Sequence, residues 1–180
     1  QTFIQVFYST IDNGSTVIEV KDFLKEILPQ ASIIGSSTAG VIEDNRVKEN
    51  CIQISFSLFD NSNTKVAAYN ETDPEIIIDN IINNLIEKNT KLLVIFANTF
   101  KINSNELIKT MNQKLPDIVI CGGNSGDDFL FKTAVCFNDS FPAKLIGFDS
   151  HSFKIDSSLS NSCLTGAAVS TISLFESFLQ

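Results

Sequence analysis

A layered α/β fold, a mixed β-sheet with helices packed on it, is predicted by three features of this 180-residue chain. Short apolar runs of strand length alternate with stretches of helical period through residues 3–120. Two-residue alternation takes over within residues 51–69, as in a strand with one wet face. Two glycine-containing segments, Gly35–Gly40 and Cys121–Asp128, each follow a strand-like run and together hold five of the eight glycines. The expected architecture has about eight to nine strands and three main helices in a single domain spanning residues 1–180.

Phe3–Tyr8 is rich in aromatic and β-branched residues, which suits a strand covered on both faces. A helix follows: Thr16 and Glu19 form a capping box, and Val20, Phe23, Leu24, Ile27 and Leu28 keep one apolar face until Pro29. Ser32–Gly35 makes a short strand that runs into the first glycine segment, and Glu43–Lys48 is charged and turn-like. Ile52, Ile54, Phe56 and Leu58 alternate with Gln53, Ser55 and Ser57; after a turn at Asp60–Asn63 the chain returns as a strand over Lys65–Tyr69. Residues 51–69 therefore read as an antiparallel hairpin.

Asp73 followed by Pro74 starts the second helix, since Asp accepts from free amides and Pro at the first helical position loses no needed hydrogen bond. Ile77, Ile78, Ile81, Ile82, Leu85 and Ile86 give it a wide apolar stripe. Leu92–Ala97 is an almost continuous apolar strand ending in the polar residues Asn98 and Thr99. Asn103 and Glu106 open a third helix bearing Leu107, Ile108, Met111 and Leu115, which Pro116 closes. The second glycine segment comes next, then strands over Lys132–Phe137 and Ala167–Leu174. Between these last two, residues 138–163 are Ser-rich and weakly periodic, and read as an insertion.

Composition narrows the partners. Hydrophobic residues make up 43% and charged residues 19%, which places the chain among globular domains. A net charge of −8 repels phosphate backbones and anionic lipid surfaces, so neither nucleic acid nor membrane insertion is expected. The 15 phenylalanines are scattered, with no interleaved basic cluster, and belong to the core. Cys51, Cys121, Cys136 and Cys163 stand far apart, which predicts free thiols and a reducing, cytoplasmic setting. The chain begins on a strand without Met, as an excised piece of a longer protein would.

The glycine segments carry the chemistry. Glycine reaches positive φ without a Cβ penalty, so bare N–H groups at Gly122, Gly123 and Asn124 can approach a small ligand. Ser37, Thr38, Ser125 and Asp127 add short polar side chains, and Asn98 and Thr99 end a strand that would face the same pocket. The plainer alternative is a pair of polar turns. No Gly-x-Ser-x-Gly elbow occurs, and His151, the lone histidine, falls in the Ser-rich insertion, so no catalytic residue is assigned. Asp127 and Asp128 occupy the position where a phosphate loop needs Lys and Ser or Thr. Being adjacent, these two carboxylates diverge in extended chain and do not make a metal site, and no cofactor is expected. Backbone donors beside one carboxylate match a small zwitterion. The rival is a small-molecule hydrolase or transferase on an α/β scaffold, and a third option is a docking domain without an enclosed polar cavity.

Gly35-Ser36-Ser37-Thr38-Ala39-Gly40, the strand ending in Asn98-Thr99, and Gly122-Gly123-Asn124-Ser125-Gly126-Asp127 ahead of Thr133-Ala134-Val135-Cys136-Phe137-Asn138 together resemble the N-terminal half of a FIST sensory domain. The resemblance covers residues 3–139 and, more loosely, 164–174. It implies an intracellular, non-enzymatic input module that binds a small ligand such as an amino acid. That module would act on an output signalling domain, on the same chain or on a partner, and is compatible with an oligomer. The chain departs from the family in the 138–163 insertion, which replaces a short turn, and in lacking the family's C-terminal half. One expectation is geometric: strands ending at Gly35, Ala97 and Cys121 should be neighbours, with their C-terminal ends on one side.

Overall fold

Alternation along β1 (Thr2–Tyr8) sets the layering. Ile4, Val6 and Tyr8 pack with Val17 and Leu24 of α1 (Ser15–Ile27). Phe3 and Phe7 face the other way, toward Val94 and Phe96 of β7 (Thr90–Asn98). The computed structural model describes residues 1–9, 15–98, 100–126, 134–139 and 167–174. Among these, two four-stranded sheets lie face to face with helices on their outer sides, a helix–sheet–sheet–helix stack.

The first sheet has the order β5-β1-β2-β9. Its centre is a parallel pair, β1 and β2 (Ser32–Ser37), joined through α1. Antiparallel strands β5 (Ile52–Leu58) and β9 (Cys136–Asn138) flank it. The second sheet has the order β6-β10-β7-β8. It repeats the device: β7 and β8 (Val119–Ser125) are parallel and joined through α3 (Ser104–Lys114). β10 (Ala167–Leu174) runs antiparallel between β7 and β6 (Ser62–Tyr69). Each parallel pair thus needs a helical crossover, which is why the sequence alternates between the two periods.

The outer core of the second sheet joins Ile77, Ile78 and Ile81 of α2 (Pro74–Asn84) and Leu107 and Met111 of α3 to Leu93, Ile95 and Ala97. Asp73 caps α2, its carboxylate accepting from the Glu75 N–H at 2.9 Å. Asn103 caps α3 through the Glu106 N–H at 3.3 Å. These caps, the three helices and the mixed strand directions are as the sequence predicts.

Two local expectations are corrected. Residues 51–69 do not form a hairpin: β5 pairs with β1, whereas β6 pairs with β10 in the opposite sheet. The connection crosses between layers, held by the Phe59 N–H donating to the Gln1 carbonyl at 2.9 Å. Both strands alternate, and alternation is blind to which sheet receives each. Residues 43–48 are more than a turn, since β3 (Val41–Glu43) and β4 (Arg46–Lys48) pair antiparallel across a two-residue loop. Asp44 and Asn45 there adopt φ of 50° and 59°, the left-handed pair such a loop requires. Cys51, Cys121 and Cys136 are free thiols. His151, Cys163 and all of the 138–163 insertion beyond residue 139 lie outside the described residues.

Candidate functional site

Where β1 and β5 face β7 and β8, the sheets leave a cleft of about 870 Å³. Its middle is largely apolar, with Phe3, Phe7 and Phe59 on one wall and Leu92, Val94 and Phe96 on the other, and with Gln5 as a polar side chain between Phe3 and Phe7. Phe7 and Phe96, both lining the cleft, meet edge to face, ring centres 5.3 Å apart at 74°. One end is polar, formed by Ser36, Ser37 and Thr38 at the end of β2 and by Gly122, Gly123 and Asn124 of β8. Ser57, Ser62, Lys91 and Cys121 also line it.

The two glycine segments therefore meet, although not as neighbouring strands. β7 and β8 are adjacent as expected, but β2 belongs to the opposite sheet. What joins them is a bridge across the layers, the Gly126 N–H donating to the Ser37 carbonyl at 2.9 Å. A Cβ on Gly126 would come within 3.1 Å of the Ala39 nitrogen, so a side chain there would press the two segments apart by a few tenths of an ångström. The glycines are also less loop-like than the sequence suggests, since β2 continues through Ser37 and β8 through Ser125. Gly122 holds φ at +133° inside β8, and a Cβ there would lie 1.8 Å from the Ile95 carbonyl oxygen. Gly123 has open space where its side chain would be.

The sequence-predicted residues divide by what already holds them. Ser37 is fixed: its N–H donates to the Val135 carbonyl and its hydroxyl accepts from the Val135 N–H, both at 2.9 Å. Its hydroxyl also meets the Tyr8 phenol, whose ionisation burial pushes far above its usual range, with Cys136 adding to the effect and the Ser37 contact opposing it. Thr38 donates its hydroxyl to the Gly40 carbonyl at 2.8 Å and its N–H to the Tyr8 carbonyl at 2.8 Å. The Asn124 amide oxygen accepts from the Ser104 hydroxyl at 2.6 Å, which fixes the amide orientation.

Asn98 and Ser125 are buried behind the cleft. The Asn98 amide donates to the Ala134 carbonyl at 2.6 Å and accepts from the Phe100 N–H at 3.0 Å. Ser125 donates to the Ala97 carbonyl at 3.1 Å. Both brace the polar end. Thr99, Asp127 and Asp128 lie outside the described residues.

Motif reading missed the aromatic walls, Ser36, Cys121 and Lys91. Alternation held a signal for the walls, because Phe3 and Phe7 share one face of β1 and Val94 and Phe96 share one face of β7. Cys121 also lines the cleft, but partial burial raises its thiol, which keeps it protonated and a poor nucleophile near neutral pH. Lys91 is the one charged side chain on the described walls.

Among the described residues, no helix is long and apolar enough to cross a membrane. No curated protein matches the chain. The family model described as the FIST N domain matches residues 2–172, and the chain therefore belongs to the FIST N domain family, a family of sensory domains.

Proposed function

We propose that this domain is the input module of an intracellular signal-transduction protein and that it senses a small molecule, such as an amino acid, in the cleft between its sheets. The observation that carries this reading is the cleft itself, about 870 Å³ and bounded at one end by both glycine segments. That volume falls in the ~300–1,000 Å³ range of small-molecule sites. Ser37, Thr38, Gly122, Gly123 and Asn124 form the polar end, with Asn98 and Ser125 bracing it. Thr99 and Asp127 complete the proposed set. Asp127 takes the ligand amine, and the backbone donors of Gly122–Asn124 take its carboxylate. The free thiols at Cys51, Cys121 and Cys136 support a reducing cytoplasmic setting, with an output domain on the same chain or on a partner.

Gly123 supplies the test of the cleft. A Phe there enters open space, so Gly123→Phe should fold like wild type while filling the polar end. In calorimetric titrations with a panel of amino acids, Gly123→Phe should abolish binding. Asp127→Asn should weaken it by one to two orders of magnitude, as expected for a charge-assisted hydrogen bond worth ~1.5–3 kcal/mol, and Asp128→Asn should leave it unchanged. Unaltered binding in Gly123→Phe would move the site out of this cleft.

A further inference from the structure

Lys91 stands where regular alternation would not put it. Leu93, Ile95 and Ala97 face the helices of the second sheet, so an undisturbed β7 would send residue 91 to that side. The pairing with β10 slips there: Ile172 is opposite Leu92, but Ser173 is opposite Thr90, leaving Lys91 as the extra residue of a β-bulge. Bulges re-aim side chains, and Lys91 lines the cleft. Lys21, Lys25, Lys48, Lys65 and Lys114 each pair with a carboxylate, whereas Lys91 has no such partner among the described residues.

Its place along the cleft matters as much as its charge. Asn124 is level with Ala97, six residues along β7 from Lys91, so the cation and the polar end are about 20 Å apart at the ~3.3 Å rise of a strand. Between them run the phenylalanine walls. In a protein of net charge −8, an exposed lysine that lines a largely apolar cleft, with no carboxylate partner among the described residues, is a local attraction for an anion.

We infer that the cleft takes an elongated amphipathic acid, its carboxylate or related anion on Lys91 and its aromatic or extended apolar body along Phe3, Phe7 and Phe96. This inference rests on the reading of the cleft as a ligand site and not on the amino-acid pose, in which the carboxylate sits at the glycine end; it names the chemical class that uses the walls and Lys91. A compact amino acid held only at the glycine end would leave the walls and Lys91 unused.

The test is calorimetric titration of the 180-residue chain with 6-phenylhexanoate and with 6-phenylhexan-1-ol, which share a body and differ in the charged end. The acid should bind about tenfold more tightly than the alcohol, the size expected of one charge-assisted contact near solvent. Lys91→Gln should erase that advantage without changing the alcohol's affinity, and Lys91→Arg should keep it. Equal binding of acid and alcohol by the wild type, an equal loss of both in Lys91→Gln, or no binding of either would overturn the inference. The Gly123→Phe titration with amino acids judges the cleft separately, so the class can fail while the site stands.

Discussion

Three glycines near the cleft have different physical duties, and single substitutions separate them. At Gly35 a Cβ would lie 2.1 Å from the Phe137 ring, which packs across β2 into the core beneath α1. The ring is fully buried and has no room to retreat, so Gly35→Ala overpacks the core and should cost about 1–3 kcal/mol. At Gly122 the obstacle is backbone, the Ile95 carbonyl, and φ is already in the region that disfavours side chains. Gly122→Ala should therefore destabilise more than Gly35→Ala, because β7 and β8 would have to part. Gly123→Ala meets nothing and should stay within about 0.5 kcal/mol of wild type. Urea unfolding midpoints of the three variants check the order; a Gly122→Ala protein as stable as Gly123→Ala would contradict this account of β8.

At the scale of the element, helix ends were legible and strand partners were not. Asp73 before Pro74 specifies where α2 begins because the signal is local: the carboxylate reaches an amide two residues away. Asp73→Ala should lower stability by about 1 kcal/mol, seen as an earlier thermal unfolding midpoint by circular dichroism, and Asp73→Ser should restore most of it. Strands offer no such local mark. Ile52–Leu58 alternates as one expects of a sheet, yet its neighbour β1 lies some fifty residues earlier and was not visible in the pattern. The bulge at Lys91 is equally hidden, since it exists only through pairing with β10, about eighty residues later. At the site, the sequence places Ser37, Thr38, Gly122, Gly123 and Asn124 in loops that follow strands; Ser37 lies instead within β2 and Gly122–Asn124 within β8, and all five line one cleft. Sequence could not tell that Asn98 and Ser125 would be drawn inward to satisfy the Ala134 and Ala97 carbonyls.

Across the whole molecule, the two sheets are separate helix-backed units whose facing sides are fastened at both ends. At one end the Thr64 hydroxyl donates to Ser32 Oγ at 2.8 Å, and the Gln1 side chain both donates to and accepts from the Thr64 backbone. At the other, Gly126 bonds Ser37 and Asn98 bonds Ala134. Among the described residues, the inner core between these fastenings is built on Phe3, Ile34, Val94, Phe96 and Cys136, and the cleft opens beside it. Each outer core is larger among the described residues and belongs to one sheet alone. Removing the Phe96 ring, which is 6% exposed and set edge-on to Phe7, should therefore loosen the seam before it loosens either unit. Phe96→Ala should cost about 3–5 kcal/mol of global stability. Hydrogen exchange should quicken most at the two fastenings, while amides of α2 and α3 keep protection closer to the global limit. Uniform acceleration through all layers would instead mean that the sheets unfold as a single cooperative block, and a ligand in the cleft would then stabilise the domain as a whole without altering how the sheets meet.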